Sequence, residues 1–243
     1  MPTTVTVALV AANAAEQQRW NDSRWAQLWP KRERLTNAVT PVLLEALTLR
    51  PCDRVLDIGS GAGAAALRAA EIVGSDGTVI GADISAPLVE LAERRARGAG
   101  VGNASFQVAD MQTVRVIGGP FTVAMSQFGV MFFDEPTVAF ANIRAHLVAG
   151  GRFGFACWQA AERNPWFFAS ALAGLVAPPP PPGPGKSPTG PFALADADRV
   201  RDLLEEAGFT DVTVSAHQTI IEAPEDAVVD DAQLVLMGIT AET

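Results

Sequence analysis

The hydrophobic pattern of this chain changes its period near residue 54. Over residues 13–49, apolar and aromatic positions recur at helical spacing, and Pro30 and Pro41 are expected to divide the stretch into shorter helices. From Arg54 onward, short β-branched runs alternate with Ala/Leu-rich amphipathic segments. Strands are predicted over Arg54–Ile58, Thr78–Asp83, Ala104–Val108, Phe121–Gln127 and Arg152–Trp158. Helices are predicted over Gly63–Val73, over Ala86–Gly98 with Pro87 near its first turn, and over Pro136–Val148, the last ended by Gly150–Gly151. This alternation implies an α/β fold, a parallel sheet covered by helices on both faces.

The rhythm breaks at residues 177–191, where five consecutive prolines (178–182) precede a Gly/Pro/Ser-rich stretch. Such sequence cannot pair in a sheet and is expected to be a loop or linker. Leu194–Ala207 resumes as a helix ended by Gly208, and Thr210–Glu222 has strand character. Ala232–Thr240 is compatible with a final strand or with a short helix. No internal repeat is found.

The length of 243 residues suits one main domain, and 49% apolar with 19% charged residues is an ordinary globular composition. A net charge of −9 repels phosphate backbones and argues against a nucleic-acid partner. The one dense basic run, Lys31–Arg32–Glu33–Arg34, reads as a solvated helix face. Cys52 and Cys157 are far apart, which suggests neither a disulfide framework nor a metal cluster, and two histidines make a zinc site a poor expectation. No apolar run is long enough to span a bilayer. Val5–Ala12 could pass for a signal peptide but has no Lys or Arg before it, so a cytoplasmic location is expected. On that expectation the sequon at Asn103 carries no meaning.

The densest chemical signal is Val55–Leu56–Asp57–Ile58–Gly59–Ser60–Gly61–Ala62–Gly63, between a predicted strand and a predicted helix. Glycines are needed where the chain turns sharply and a ligand approaches the backbone. Free N–H groups at the following helix start are expected to add a slightly positive rim. Alone, Gly59-x-Gly61-x-x-Ala64 also satisfies a dinucleotide-binding pattern. An acid at Asp57 would oppose a pyrophosphate and favour an ammonium. The chain has no tyrosine, which excludes a short-chain dehydrogenase with its Tyr/Lys pair.

This segment resembles motif I of the class I S-adenosylmethionine-dependent methyltransferases. The resemblance implies that Asp57 faces the cofactor's ammonium, with Gly59, Ser60, Gly61 and Gly63 lining the turn. Asp83, twenty residues after Gly63 and at a strand end, can accept two hydrogen bonds from a ribose diol; Ile84 would pack on the adenine. Asp110, followed by Met111, matches the family position that contacts the adenine amino group. Taken singly, each acid is better read as a helix cap or loop start; all three at strand ends in the family's order argue against coincidence.

The likeness extends over roughly residues 13 to 215 and is similar to the ubiquinone/menaquinone-biosynthesis branch. It is carried by Trp20–Asn21, Trp25, Met125–Phe133, Arg144–Leu147, Trp158–Gln159 and Arg163–Trp166. It implies a Rossmann-like doubly wound sheet, with an N-terminal helical cap over residues 1–50 and the methyltransferase domain over 51–243. Ser126 and Gln127 would sit beside the methionine portion, and the N-terminal tryptophans would fold over the cofactor or serve simply as core. The family's terminal antiparallel hairpin is hard to find before Thr243.

Methyl transfer from a sulfonium is an in-line displacement in which positioning alone can contribute ~7–11 kcal/mol. Trp20, Trp25, Phe132 and Trp158, with Phe133 and Trp166, are expected on the acceptor side and suggest an apolar acceptor methylated on oxygen or carbon. S-adenosylhomocysteine would be the product. No general base can be named: His217 is the first candidate, Glu162 and Arg163 are similarly placed, and His146 is expected to be structural. A cofactor-binding protein without methyl transfer and an NAD(P)-dependent oxidoreductase are the competing readings, and a homodimer is compatible with apolar N-terminal helix faces.

Overall fold

The computed structural model describes residues 12–164, 189–218 and 240–242. Among these residues a seven-stranded sheet has the order β3-β2-β1-β4-β5-β7-β6. Its strands are β1 (Arg54–Ile58), β2 (Thr78–Asp83), β3 (Ala104–Val108), β4 (Phe121–Gln127), β5 (Leu147–Trp158), β6 (Ala216–Gln218) and β7 (Thr240–Glu242). β1 to β5 are mutually parallel, while β7 runs antiparallel between β5 and β6. The mostly parallel, Rossmann-like α/β fold is therefore as expected from the alternation of elements.

Side chains alternate across the sheet and sort the core into two layers. Leu56, Ile58, Ala124 and Phe155 pack on one face with Phe140 and Ile143 of α6 (Pro136–Ala145) and Val200 and Leu203 of α7 (Ala197–Glu206). Val55, Val79, Val123 and Met125 pack on the other face. Their partners are Leu43 and Leu44 of α3 (Val39–Ala46), Ala66, Ala69 and Val73 of α4 (Ala64–Val73), and Val89 and Ala92 of α5 (Ala86–Gly98). By the same alternation Asp57, between Leu56 and Ile58, faces the α4 layer. Each fully buried Leu or Phe contributes about 1.5–3 kcal/mol of transfer free energy.

Several boundaries differ from the sequence reading. Pro30 lies inside a continuous helix, α2 (Arg24–Thr36), rather than dividing it. Pro41 is the third residue of α3, in the first turn where a missing N–H goes unneeded. The helix at Pro136 ends at Ala145, and β5 begins at Leu147. Gly150–Gly151 thus lies within a strand, where the pairing with β4 shifts register between Phe121 and Val123, and Gly150 takes φ 73°. Only 216–218 of the predicted strand 210–222 is paired; 210–215 is irregular, and 219–222 lies outside the described residues, as do 232–239 and Trp166. Thr240–Glu242 pairs with both β5 and β6, so the terminal strand begins where the predicted segment ends.

Two caps show why the helices begin and end where they do. Asp196 accepts the N–H groups of Asp198 and Arg199 at 2.9 and 3.2 Å to start α7. The Asn103 amide donates to the carbonyls of Ala70 and Gly74 at 3.0 and 2.7 Å, closing the C-terminus of α4. Among the described residues no helix is long and apolar enough to cross a membrane.

Candidate active site

Between β1 and β4 the strand order reverses, and the loops leaving their carboxyl ends part toward opposite faces of the sheet. That point is where open α/β sheets form their ligand crevice. A cavity lies there, lined by the ends of β1, β2 and β4, by the loops after them and after β3, and by α1 (Ala14–Trp20) and α2 above.

The glycine turn forms its floor. Gly59, Gly61 and Gly63 take φ of 66°, 53° and 85°, a region L residues rarely enter. The turn's amides point inward: Gly59 and Ser60 donate to the Ala82 carbonyl, Gly63 to the Ser60 carbonyl, and Gly61 to Asp83 Oδ2 at 2.7 Å. At the helix start, where a rim of free N–H groups is expected, the Ala64 N–H goes to Glu33 and the Ala66 N–H to Asp57. What the turn leaves unsatisfied is side chain: Asp57 Oδ2 and Ser60 Oγ are buried without a hydrogen-bond partner.

Asp57 is 1% exposed. Burial pushes its carboxyl well above the usual carboxylate range, nearby Asp83 pushes in the same direction, and the Ala66 N–H at the start of α4 opposes both. Asp83 is also raised by burial, against backbone N–H bonds from Ser85, Gly61 and Ile84. Besides Gly61, it takes the Ser85 N–H on Oδ1 at 2.8 Å. Asp110 Oδ1 accepts Asn13 Nδ2 at 2.7 Å and the Gln112 N–H at 2.9 Å.

Of the predicted cofactor residues, Asp57, Gly59, Ser60, Asp83, Ile84, Asp110, Met111 and Gln127 line this one cavity. Gly61, Gly63 and Ser126 do not. Gly61 lies under the Trp29 ring, Gly63 packs against Phe106, and both serve the turn rather than the cavity wall. Ser126 is fully buried, its hydroxyl donating to the Ile58 carbonyl at 2.7 Å and accepting the Gly129 N–H at 3.2 Å. Gln127 reaches α2 and α3 as well, donating to the Thr36 carbonyl and accepting from Thr40 Oγ1.

Trp20, Phe132, Phe133 and Trp158 also line the cavity, with Phe128 stacked on Trp158 at 3.9 Å between ring centroids. Trp25 does not: it packs on Trp20 at 4.6 Å and donates to the Arg19 carbonyl. His217 is on β6 at the outer end of the sheet, away from the cavity. Glu162 and Arg163 follow β5 and do not line it either. His146 is 4% exposed and structural.

Other lining residues went unread in the sequence. Trp29, Glu33 and Thr36 form one face of α2 at i, i+4 and i+7, a spacing that was legible. Glu33 belongs to a run whose pattern predicts a solvated face, yet it binds Arg95 Nη1 through both oxygens at 2.8 and 2.9 Å. Asn13 and Glu16 carried no signal. They reach the site because Asn13 bridges Asp110 and Asp134, while Asn21 bonds the Ile84 carbonyl and the Ala86 N–H. Pro191, the last residue of the proline-rich segment, lines the cavity, and Gly190 donates to the Met131 carbonyl.

Fold and cavity define an α/β protein with a ligand site at the topological switch point, acidic beneath the glycine turn and aromatic opposite it. Residues 55–151 match the family model described as a methyltransferase domain. Aklanonic acid methyltransferase of Streptomyces sp. (strain C5) is 39% identical over 42% of this chain and 47% of its own length. Nocamycin O-methyltransferase of Saccharothrix syringae is 37% identical over 46% and 40%. The ubiquinone/menaquinone biosynthesis C-methyltransferase of Teredinibacter turnerae is 31% identical over 45% and 44%. The chain therefore spans less than half the length of these curated relatives. The solved structure of the [4+2]-cyclase SpnF superposes with a TM-score of 0.61 at 18% identity, covering 82% of this chain and 75% of that one, a likeness of fold.

Proposed function

We propose that this protein transfers a methyl group from S-adenosylmethionine to an oxygen or carbon of a small, apolar metabolite. The observation that carries the reading is the pair of orphaned buried atoms, Asp57 Oδ2 and Ser60 Oγ, beneath a turn whose own amides are already used. A buried carboxylate left with an unpartnered oxygen is costly until a donor arrives. A ligand with an ammonium group suits it, and a ligand with a pyrophosphate does not.

When bound, S-adenosylmethionine supplies a methyl group already activated by its sulfonium. Asp57 would hold the ammonium. Asp83 keeps lone pairs free beyond its backbone bonds for the ribose hydroxyls, and Ile84, Asp110 and Met111 would frame the adenine. Gln127, tied to α2 and α3, would sit beside the methionine portion. Gly61, Gly63 and Ser126 act behind these groups, fixing the turn and the Gly59–Gly129 contact. Phe128, Phe132 and Trp158 present apolar and aromatic surface, which excludes water and orients the acceptor.

The names of the relatives support small metabolites as acceptors. A cytoplasmic location and a homodimer belong to the same reading; they rest on Cys52 and Cys157, one exposed and one buried and not joined in a disulfide, and on the apolar N-terminal helices. The helices of residues 1–50 would act as a cap on the domain formed by 51–243. Calorimetric titration with S-adenosylmethionine and S-adenosylhomocysteine should give saturable binding of both and none of NADH. Failure to bind either ligand would remove the reading. A screen of small hydroxylated and carbon acceptors with labelled S-adenosylmethionine then identifies the acceptor.

A further inference from the structure

Among the described residues five carboxylates line the cavity: Glu16, Glu33, Asp57, Asp83 and Asp110. Asp57 and Asp83 lie beneath the glycine turn, and Asp110 is occupied by Asn13 and the Gln112 N–H. Glu33 is held by Arg95, by the Trp29 side chain and by the Ala64 N–H.

Glu16 is different. Its Oε2 accepts the Trp20 indole N–H at 2.7 Å, while its Oε1 is held only by a looser ion pair with the Arg19 guanidinium at 3.7 Å. It stands on the aromatic side of the cavity, where Trp20 meets Phe132 edge to face at 5.4 Å. The Arg19 guanidinium covers the same two rings at 5.2 and 5.9 Å, and Asp134 faces Glu16 from the loop after β4. No histidine lines the cavity among the described residues.

We propose that Glu16 is the group that takes the proton from a hydroxyl of a neutral, apolar aromatic acceptor as that oxygen is methylated. The proposal rests on the methyltransferase reading above. The acceptor's O–H bond breaks and its proton passes to Glu16 Oε1. A bond forms from the oxygen to the methyl carbon, and the carbon–sulfur bond breaks with its electron pair going to sulfur. Glu16 then returns the proton to water. A carboxylate suits this role only when its basicity is raised toward neutral. Burial raises Glu16 and Asp134 adds to it, against Arg19 and the Trp20 N–H. The negative charge also selects the acceptor: a carboxylic acid or phosphate placed beside Glu16 would be repelled.

2-Naphthol tests this directly, because once excited it emits as the naphtholate when a base within reach accepts its proton. Bound to the full chain saturated with S-adenosylhomocysteine, it should show naphtholate emission that is lost in Glu16→Gln and partly restored in Glu16→Asp. Affinity for S-adenosylhomocysteine should be the same in all three proteins. Turnover of the hydroxylated acceptor should fall roughly 10²–10⁴-fold in Glu16→Gln. Naphtholate emission that survives Glu16→Gln would overturn the proposal, as would 2-naphthol that fails to bind or emits only as the neutral phenol in wild type. Loss of S-adenosylhomocysteine binding in Glu16→Gln would put Glu16 on the donor's side and overturn it too. Wild-type protein that does not bind S-adenosylhomocysteine removes the methyltransferase reading and this proposal together.

Discussion

Gly59 and Gly129 meet backbone to backbone at the switch point of the sheet. A Cβ on Gly59 would stand 2.7 Å from the Gly129 α-carbon. One on Gly129 would stand 2.7 Å from the Ile58 carbonyl oxygen and 2.9 Å from the Gly59 α-carbon. The loops leaving β1 and β4 can approach this closely only because neither residue has a side chain, and the approach shapes the cavity floor.

Gly129→Ala should therefore destabilise the protein through overpacking, by about 1–3 kcal/mol. The backbone of Gly129 is ordinary, at φ −85°, so the cost is steric. Gly59→Ala should cost more, since its φ of 66° adds backbone strain to the collision. Chemical denaturation of both variants measures the difference, and equal stabilities would show that the contact relaxes freely.

Asp57→Asn should weaken S-adenosylmethionine binding while leaving the unliganded fold intact or more stable. A charged hydrogen bond is lost, worth about 1.5–3 kcal/mol, or roughly 10- to 100-fold in affinity. The free protein meanwhile sheds a buried carboxylate next to Asp83. Calorimetry and thermal unfolding on the same preparation separate the two effects.

Cofactor affinity should fall as the pH is lowered. Burial and Asp83 raise the pKa of Asp57 in the free protein, so protonation competes with the ammonium as the pH is lowered. A bound ammonium favours its charged form, so binding expels that proton. Binding enthalpies measured in buffers of different ionisation enthalpy should reveal proton release, and Asp57→Asn should reduce it.

His146 should make stability pH-dependent in the opposite sense to the buried acids. The Asn142 carbonyl, at 2.7 Å from Nδ1, can only accept, and the Val116 N–H, at 3.1 Å from Nε2, can only donate. The ring is therefore neutral, protonated on Nδ1, and burial lowers its pKa. The unfolded chain binds a proton first as pH falls through about 6.5. Stability is lost from there until the pH passes below the folded value. The raised carboxyls of Glu16, Glu33, Asp57 and Asp83 work the other way, since their charged-form penalty is relieved as pH falls through their folded values. His146→Phe should be less stable at pH 8, by about 1–3 kcal/mol for the orphaned partners, and should lose less on acidification than wild type. Denaturation midpoints between pH 5 and 8 read both.

Much of the site was legible in the sequence because its residues follow strand ends. Asp57, Asp83 and Asp110 each stand at or just past the end of a predicted parallel strand, and parallel strands in one sheet deliver such residues to one edge. Trp25 and Ser126 misled for a related reason. Residue type and neighbourhood marked them as site residues, whereas Trp25 is spent on Trp20 and the Arg19 carbonyl, and Ser126 on Ile58 and Gly129. Glu33 misled in the other direction. Its charged neighbours suggested water, but Arg95, sixty-two residues away, takes it.

By itself the sequence determined the order of strands and helices, the left-handed glycine turn and the acids that end the strands, because these depend on local periodicity and on backbone conformations only glycine enters easily. The tertiary structure decided which hydrogen-bond groups remain unspent. It turned the amides of Gly59, Ser60 and Gly61 onto Ala82 and Asp83, left Asp57 Oδ2 and Ser60 Oγ without partners, and folded α1 over the cavity so that Glu16 faces the aromatic wall. Those outcomes depend on contacts between residues far apart in the chain, and no local pattern encodes them.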